Sequence, residues 1–167
     1  MTGKADRAEQ MIQTISRFYR HSLADHPTGD VSLEDEIDLQ EHYLAIEAVR
    51  FPERLRIKVD LPPELARYQV PGMILQPLVE NSVKYGVSAS RKPVTITIAA
   101  REEYGRLVLT VSDDGPGTAG EHGFGIGLAN VRDRLQARFG KDASLTAGPD
   151  GERGWTSIIR IPGGRHG

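Results

Sequence analysis

The sequence predicts an α/β fold: a two-layer sandwich on one mixed sheet, preceded by an N-terminal helical stalk segment. Three observations predict it. Short alternating runs read as strands, two longer runs of helical period lie between them, and a pair of N-terminal helical runs is free of internal Gly and Pro.

The helical pair comes first. From Lys4 to about Ala24, the residues Ala8, Met11, Ile12, Ile15, Phe18, Tyr19 and Leu23 recur at helical spacing. The segment His26-Pro27-Thr28-Gly29-Asp30 breaks that run with turn formers. Ser32 then reads as an N-cap, with Glu34, Asp35 and Glu36 filling the first turn of a helix that runs to about Arg50. Periodicity alone leaves two arrangements open: a projecting hairpin or stalk, or two surface helices packed on the domain.

After Phe51-Pro52 the pattern changes. Leu55 to Asp60, Val94 to Ala99 and Leu107 to Val111 alternate as strands, and Ser144 to Ala147 and Thr156 to Ile161 read as two more. Helices are expected from about Met73 to Tyr85 and from Ile126 to Phe139. Pro77 inside the first requires either that regular helix starts only shortly before it or that the helix bends there.

Bulk properties bound the function. A chain of 167 residues can bury one real core. A net charge of −2 with mixed signs offers no basic stripe, so nucleic acid is not expected as a partner. The absence of cysteine excludes disulfides, thiolate nucleophiles and Cys-type zinc sites, and suits a reducing cytoplasm. No apolar run approaches the roughly 20 residues of a membrane helix, and the N-terminus lacks a signal-peptide core. A cytoplasmic location is therefore expected.

Three constellations carry chemistry. On the helix from Met73, the apolar residues Ile74, Leu75, Leu78, Val79 and Val83 define a buried face, and Glu80, Asn81, Lys84 and Tyr85 stand off it. An amide oxygen for Mg²⁺, an ammonium for phosphate and a ring for a base are what a metal–nucleotide complex could use. The plain reading is a solvated face with a Glu80–Lys84 ion pair. Next, Val111-Ser112-Asp113-Asp114-Gly115-Pro116-Gly117 ends a strand. Asp113 there can accept from an exocyclic amine, which favours adenine over guanine, although the string is also an ordinary Asp-Gly turn. Last, Gly123-Phe124-Gly125-Ile126-Gly127-Leu128 opens a helix whose free N–H groups can hold phosphate. Six of the chain's 18 glycines fall between positions 115 and 127, a density that points to backbone wrapping a ligand. No G-x-x-x-x-G-K-[ST] is present, and Asn130 breaks a dinucleotide fingerprint.

In this order, an Asn-bearing helix, a strand-end D-x-G-x-G and a G-x-G-I-G-L at a helix start resemble the N, G1 and G2 boxes of the GHKL (Bergerat) superfamily. That superfamily holds histidine kinases, gyrase, Hsp90 and MutL. Within it, L-Q-P-L-V-E-N-S-V-K-Y-G at 75–86 and G-I-G-L-A-N-V-R-D-R-L at 125–135 resemble the LytS/YehU-type sensor histidine kinases. Leu39 to Phe51 is similar to that family's linker helix. The resemblance implies ATP and Mg²⁺ as cofactors, with Asn81 on the metal, Glu80 as base, Lys84 on phosphate and Tyr85 near adenine. It implies that Asp113 reads the adenine amine and that Gly115, Gly117, Gly123, Gly125, Gly127 and Leu128 line the nucleotide. It further implies residues 1–50 as a partial dimerisation stalk lacking the acceptor helix, and 51–167 as the ATP-binding catalytic domain. The expected reaction passes the γ-phosphate to a histidine outside this chain and then to an aspartate of a response regulator of LytTR type. A homodimeric full-length protein, anchored by a missing sensor region, would complete the picture.

Three departures from the family pattern stand out. None of His21, His26, His42, His122 or His166 lies in the acceptor string N-P-H-F-L-F-N. The lid between Gly117 and Gly123 is only five residues, which keeps open a regulatory nucleotide-binding module without phosphotransfer. Asp114 stands where Asn is usual and adds charge near the ligand.

Overall fold

A computed structural model of the chain describes residues 29–116 and 126–163. The helix expected from Lys4 to Ala24 and the expected lid lie outside the described residues.

Strand β1 (Asp30–Ser32) leads directly into helix α1 (Leu33–Arg50). As expected, Ser32 caps α1, its hydroxyl accepting from the Asp35 N–H at 3.1 Å. Leu33, Ile37 and Leu44 bury one side of this helix in the common core. At roughly 2 kcal/mol for each buried Leu or Ile, against about 1 kcal/mol for the cap, packing holds α1 in place. Of the two arrangements left open for this helix, packing on the domain is the one observed.

Strands β2 (Leu55–Asp60), β4 (Val94–Glu103), β5 (Arg106–Asp113), β6 (Ser144–Pro149) and β7 (Trp155–Pro162) form one sheet in the order β2-β4-β5-β7-β6. β2 pairs parallel to β4 and every other neighbour is antiparallel, so the sheet is mixed, as predicted. Each predicted strand is present, and all but β2 carry two to four residues more than their alternation revealed. The β4–β5 hairpin closes on Tyr104 and Gly105, both left-handed at φ 52° and 76°, the turn geometry that matches sheet twist. Two short strands escaped the sequence reading: β1 pairs antiparallel with β3 (Gln69–Pro71) in a small second sheet. Three residues are too few for a period of two to show.

The predicted helix from Met73 starts later and ends differently. Regular helix α2 covers Gln76–Asn81, with Pro77 in its first turn, where a missing N–H costs nothing. The next stretch, Ser82–Val87, is a widened turn: the Ser88 N–H reaches back five residues to the Val83 carbonyl at 2.9 Å. Such π-type turns recur at functional sites. Helix α3 (Ile126–Phe139) occupies its predicted range. Leu78 and Val79 of α2 and Leu128, Val131 and Leu135 of α3 meet Ile96, Ile98, Leu109 and Ile159 of the sheet in one core.

Candidate functional site

The end of β5 holds the centre of the site. Asp113 is 8% exposed, and its Oδ1 accepts the Gly115 N–H at 3.0 Å. Burial pushes its carboxyl above the usual range; the Gly115 amide and the Ser82 hydroxyl work the other way, and neighbouring Asp114 adds to the rise. The Ser82 hydroxyl is buried near Asp113 but has no partner in strict hydrogen-bond geometry, so its help is electrostatic. The carboxylate is enclosed by glycines. A Cβ on Gly86 would lie 2.8 Å from the Asp113 carboxyl carbon, and one on Gly115 would lie 2.7 Å from the Gly86 Cα. At both positions the glycine is required for space. In the β6–β7 loop, a Cβ on Gly154, at φ 94°, would lie 2.5 Å from the Asp113 carbonyl oxygen.

The widened turn carries Gly86 against Asp113 and thereby sets α2 beside the strand end. Glu80 is exposed and Asn81 half-buried at the end of α2. Among the described residues no ion pair joins Glu80 to Lys84. Instead Glu80 accepts from the Gln76 side-chain amide at 2.9 Å, one turn earlier. Lys84 lies over the Tyr85 ring, 5.1 Å from its centroid. Tyr43 of α1 faces the same group: burial, then the charges of Glu47 and Glu80, push its hydroxyl up to about 12. Glu80 and Asn81 thus stand at the end of α2, and Lys84 and Tyr85 follow one turn on in the widened stretch.

Gly127, the second residue of α3, lies near Pro77, where a Cβ would make an ordinary 3.5 Å contact. Leu128 is fully buried in the core, so what it can offer a ligand is the N–H at the helix start. Gly117, Gly123 and Gly125 lie outside the described residues. The charge of Asp114 is turned to structural use: its Oδ1 accepts the Thr95 N–H at 2.7 Å at the start of β4.

Sequence reasoning missed Gly86, Gly154 and Gln76. Gly86 reads locally as a helix stop, Gly154 as a hairpin turn and Gln76 as a polar helix residue. The one available signal was the four-residue spacing of Gln76 and Glu80.

A family model for histidine kinase-, DNA gyrase B- and HSP90-like ATPases matches residues 69–165, and one for histidine kinases matches residues 1–55. The chain belongs to this ATPase family. Its relatives are sensor histidine kinases, LytS proteins of staphylococci among them, so its branch is that of the sensor-kinase catalytic domain. It is 34% identical over 169 residues to sensor histidine kinase YesM of Bacillus subtilis, covering 96% of this chain and 29% of that one. It is 34% identical over 159 residues to sensor histidine kinase BtsS of Escherichia coli, covering 95% and 28%. The chain thus spans less than a third of the length of these relatives. In fold it is similar to the Acinetobacter baumannii histidine kinase AdeS, with a TM-score of 0.63 at 15% identity over 93% of this chain and 77% of that one. No helix among the described residues is long and apolar enough to cross a membrane.

Proposed function

We propose that this chain holds Mg²⁺·ATP between Asp113 and the Asn81 helix and transfers the γ-phosphate to a histidine supplied from outside residues 1–167. The observation that carries this reading is the Asp113 carboxylate, buried at a strand end and enclosed by Gly86 and Gly115. Such a fixed acceptor rewards the exocyclic amine of adenine and repels the carbonyl that guanine presents. Asn81 offers an amide oxygen to the metal, and Lys84 a point charge to phosphate. The N–H groups at the start of α3, with Gly117, Gly123 and Gly125, line the phosphate side. Bound Mg²⁺ supplies charge neutralisation on the phosphates. Glu80, held by Gln76, takes the proton from the attacking imidazole. As the nitrogen–phosphorus bond forms, the bond from the γ-phosphorus to the bridging oxygen breaks, and ADP leaves with that electron pair.

In the whole protein we assign residues 1–50 to the dimerisation region, with its helix α1 seated on the core of the catalytic part, and 51–167 to ATP-binding catalysis. The phosphoryl group then passes to an aspartate of a response regulator, of LytTR type, within a homodimer anchored by a separate sensor region. The short chain share of each relative's length supports a division of labour among such regions.

Calorimetry tests the site. ATP should bind at least tenfold more tightly than GTP, and Asp113→Asn should weaken ATP by about 2 kcal/mol, the scale of a charge-assisted hydrogen bond. Equal affinity for the two nucleotides would remove Asp113 as the base reader. Mg²⁺ should tighten ATP binding, and Asn81→Ala should abolish that gain. Labelled phosphate should appear on a supplied acceptor-helix fragment when γ-labelled ATP is added; a nucleotide-binding module without transfer would leave the fragment unlabelled.

A further inference from the structure

The acidic first turn of α1 reads in sequence as a solvated complement to the helix dipole. Glu36 is not solvated: it is 1% exposed, on the buried stripe with Leu33, Ile37, Gln40 and Leu44. One carboxylate oxygen accepts the Met73 N–H at 2.7 Å, and the other accepts the Leu75 N–H at 2.9 Å. These two amides belong to the link between β3 and α2, and Leu75 is the N-cap residue of α2. No side chain of α2's own segment caps that helix. The carboxylate that holds its N-cap residue comes from α1, about 40 residues earlier in the chain.

The link is gripped from a second side. Arg134 of α3 donates to the Gly72 carbonyl at 2.9 Å, and its positive charge favours the ionised form of Glu36. Gln40 also favours that form, although neither of its amide atoms has a partner in strict geometry. Between the two grips, Met73 is left-handed at φ 63°, a conformation a side-chain-bearing residue holds only when its surroundings over-determine it. Carboxylate and guanidinium thus fix opposite polarities of one strained link, amides on one side and a carbonyl on the other.

We infer that Glu36, seconded by Arg134, is a positioning residue for the Asn81 helix: it sets where α2 begins and therefore where the metal ligand stands. The assignment rests on the reading of Asn81 given above. Glu36 touches no reacting group. It acts through the direction of α2, so it governs the metal-dependent part of binding and leaves the Asp113 end alone. The same contact joins α1 directly to the catalytic helix, giving any displacement of α1 a route to the metal ligand.

The experiment uses the full chain and measures ATP affinity by calorimetry in Mg²⁺ and in EDTA. In the unmutated chain Mg²⁺ tightens binding. Glu36→Gln keeps size but presents one acceptor and a clashing NH₂ to two donors, and should reduce the Mg²⁺ tightening roughly tenfold while changing the EDTA affinity less than about twofold. A general loss of structure would weaken both equally, and that result, or no change in either, would overturn the inference. If Glu36→Gln does not fold, Arg134→Gln removes the guanidinium grip on Gly72 and its charge beside Glu36, and should show the same selective loss, smaller in size. Asn81→Ala runs in parallel. If it too leaves the metal effect intact, the site reading fails; if it abolishes the effect and Glu36→Gln does not, the positioning role alone is refuted.

Discussion

Two buried carboxylates flank the stretch that bears Asn81, and the difference between them separates scaffold from site. Glu36 lies at its start with both oxygens engaged by backbone amides. Asp113 lies at its end with a single backbone amide on one oxygen. A carboxylate has about four acceptor positions. Glu36 commits its oxygens to the chain itself, whereas Asp113 retains acceptor capacity toward whatever enters beside Gly86 and Gly115. Burial alone does not distinguish them; the count of engaged acceptors does.

The strongest way to break this contrast is through proton linkage. Burial, only partly offset by the Leu75 and Met73 amides, Arg134 and Gln40, pushes Glu36 from 4.5 up to about 7. Between these values the folded chain keeps a proton that the unfolded chain has lost, so stability falls as pH rises from 4.5 through about 7. The corresponding loss is about 3 kcal/mol. Urea unfolding across that range should show this slope in the native chain and lose most of it in Glu36→Gln. An unchanged slope would assign the titration to another group. Asp113 shifts in the same direction, and its share should remain in the variant.

A smaller effect sharpens the other end. Gly115→Ala drives a methyl against the Gly86 backbone and should cost about 2 kcal/mol of stability, with loss of ATP binding. Gly148→Ala, a glycine with open space around its Cα, serves as the control and should retain ATP binding. The smallest effect is expected at Asp114→Asn: the amide oxygen can still accept from Thr95, so stability should change by less than about 0.5 kcal/mol. A large loss there would show that the charge itself matters to the site.

Much of the fold could be read because its burial is periodic. Val94 to Ala100 alternate between buried and half-buried positions, and α3 carries Leu128, Val131 and Leu135 at helical spacing. Ser32 was recognisable as a cap because its partner is local. What escaped depends on residues distant in sequence. Glu36 looks like any acidic residue of a first turn until Met73 and Leu75 are known to face it. Gly86 looks like a stop until Asp113 is known to lie against it. The widened turn at Ser82–Val87 preserves the apolar pattern of an ordinary helix and so leaves no mark in periodicity. At the site, the chemistry of Asp113, Asn81, Lys84 and Tyr85 was readable from residue type, but Gln76 and Lys84 both lie four residues from Glu80, so spacing could not say which of them it would meet, and it meets Gln76.

The order of the sheet carries a consequence for how the molecule behaves in a crowd. Its borders are β2 and β6, the strands whose outer backbone groups another chain could adopt. β2 places Arg56 and Lys58 in solvent and ends on exposed Asp60, while β6 ends on Pro149, which has no N–H to offer. Charge at one border and a missing donor at the other both weigh against templated growth of the sheet.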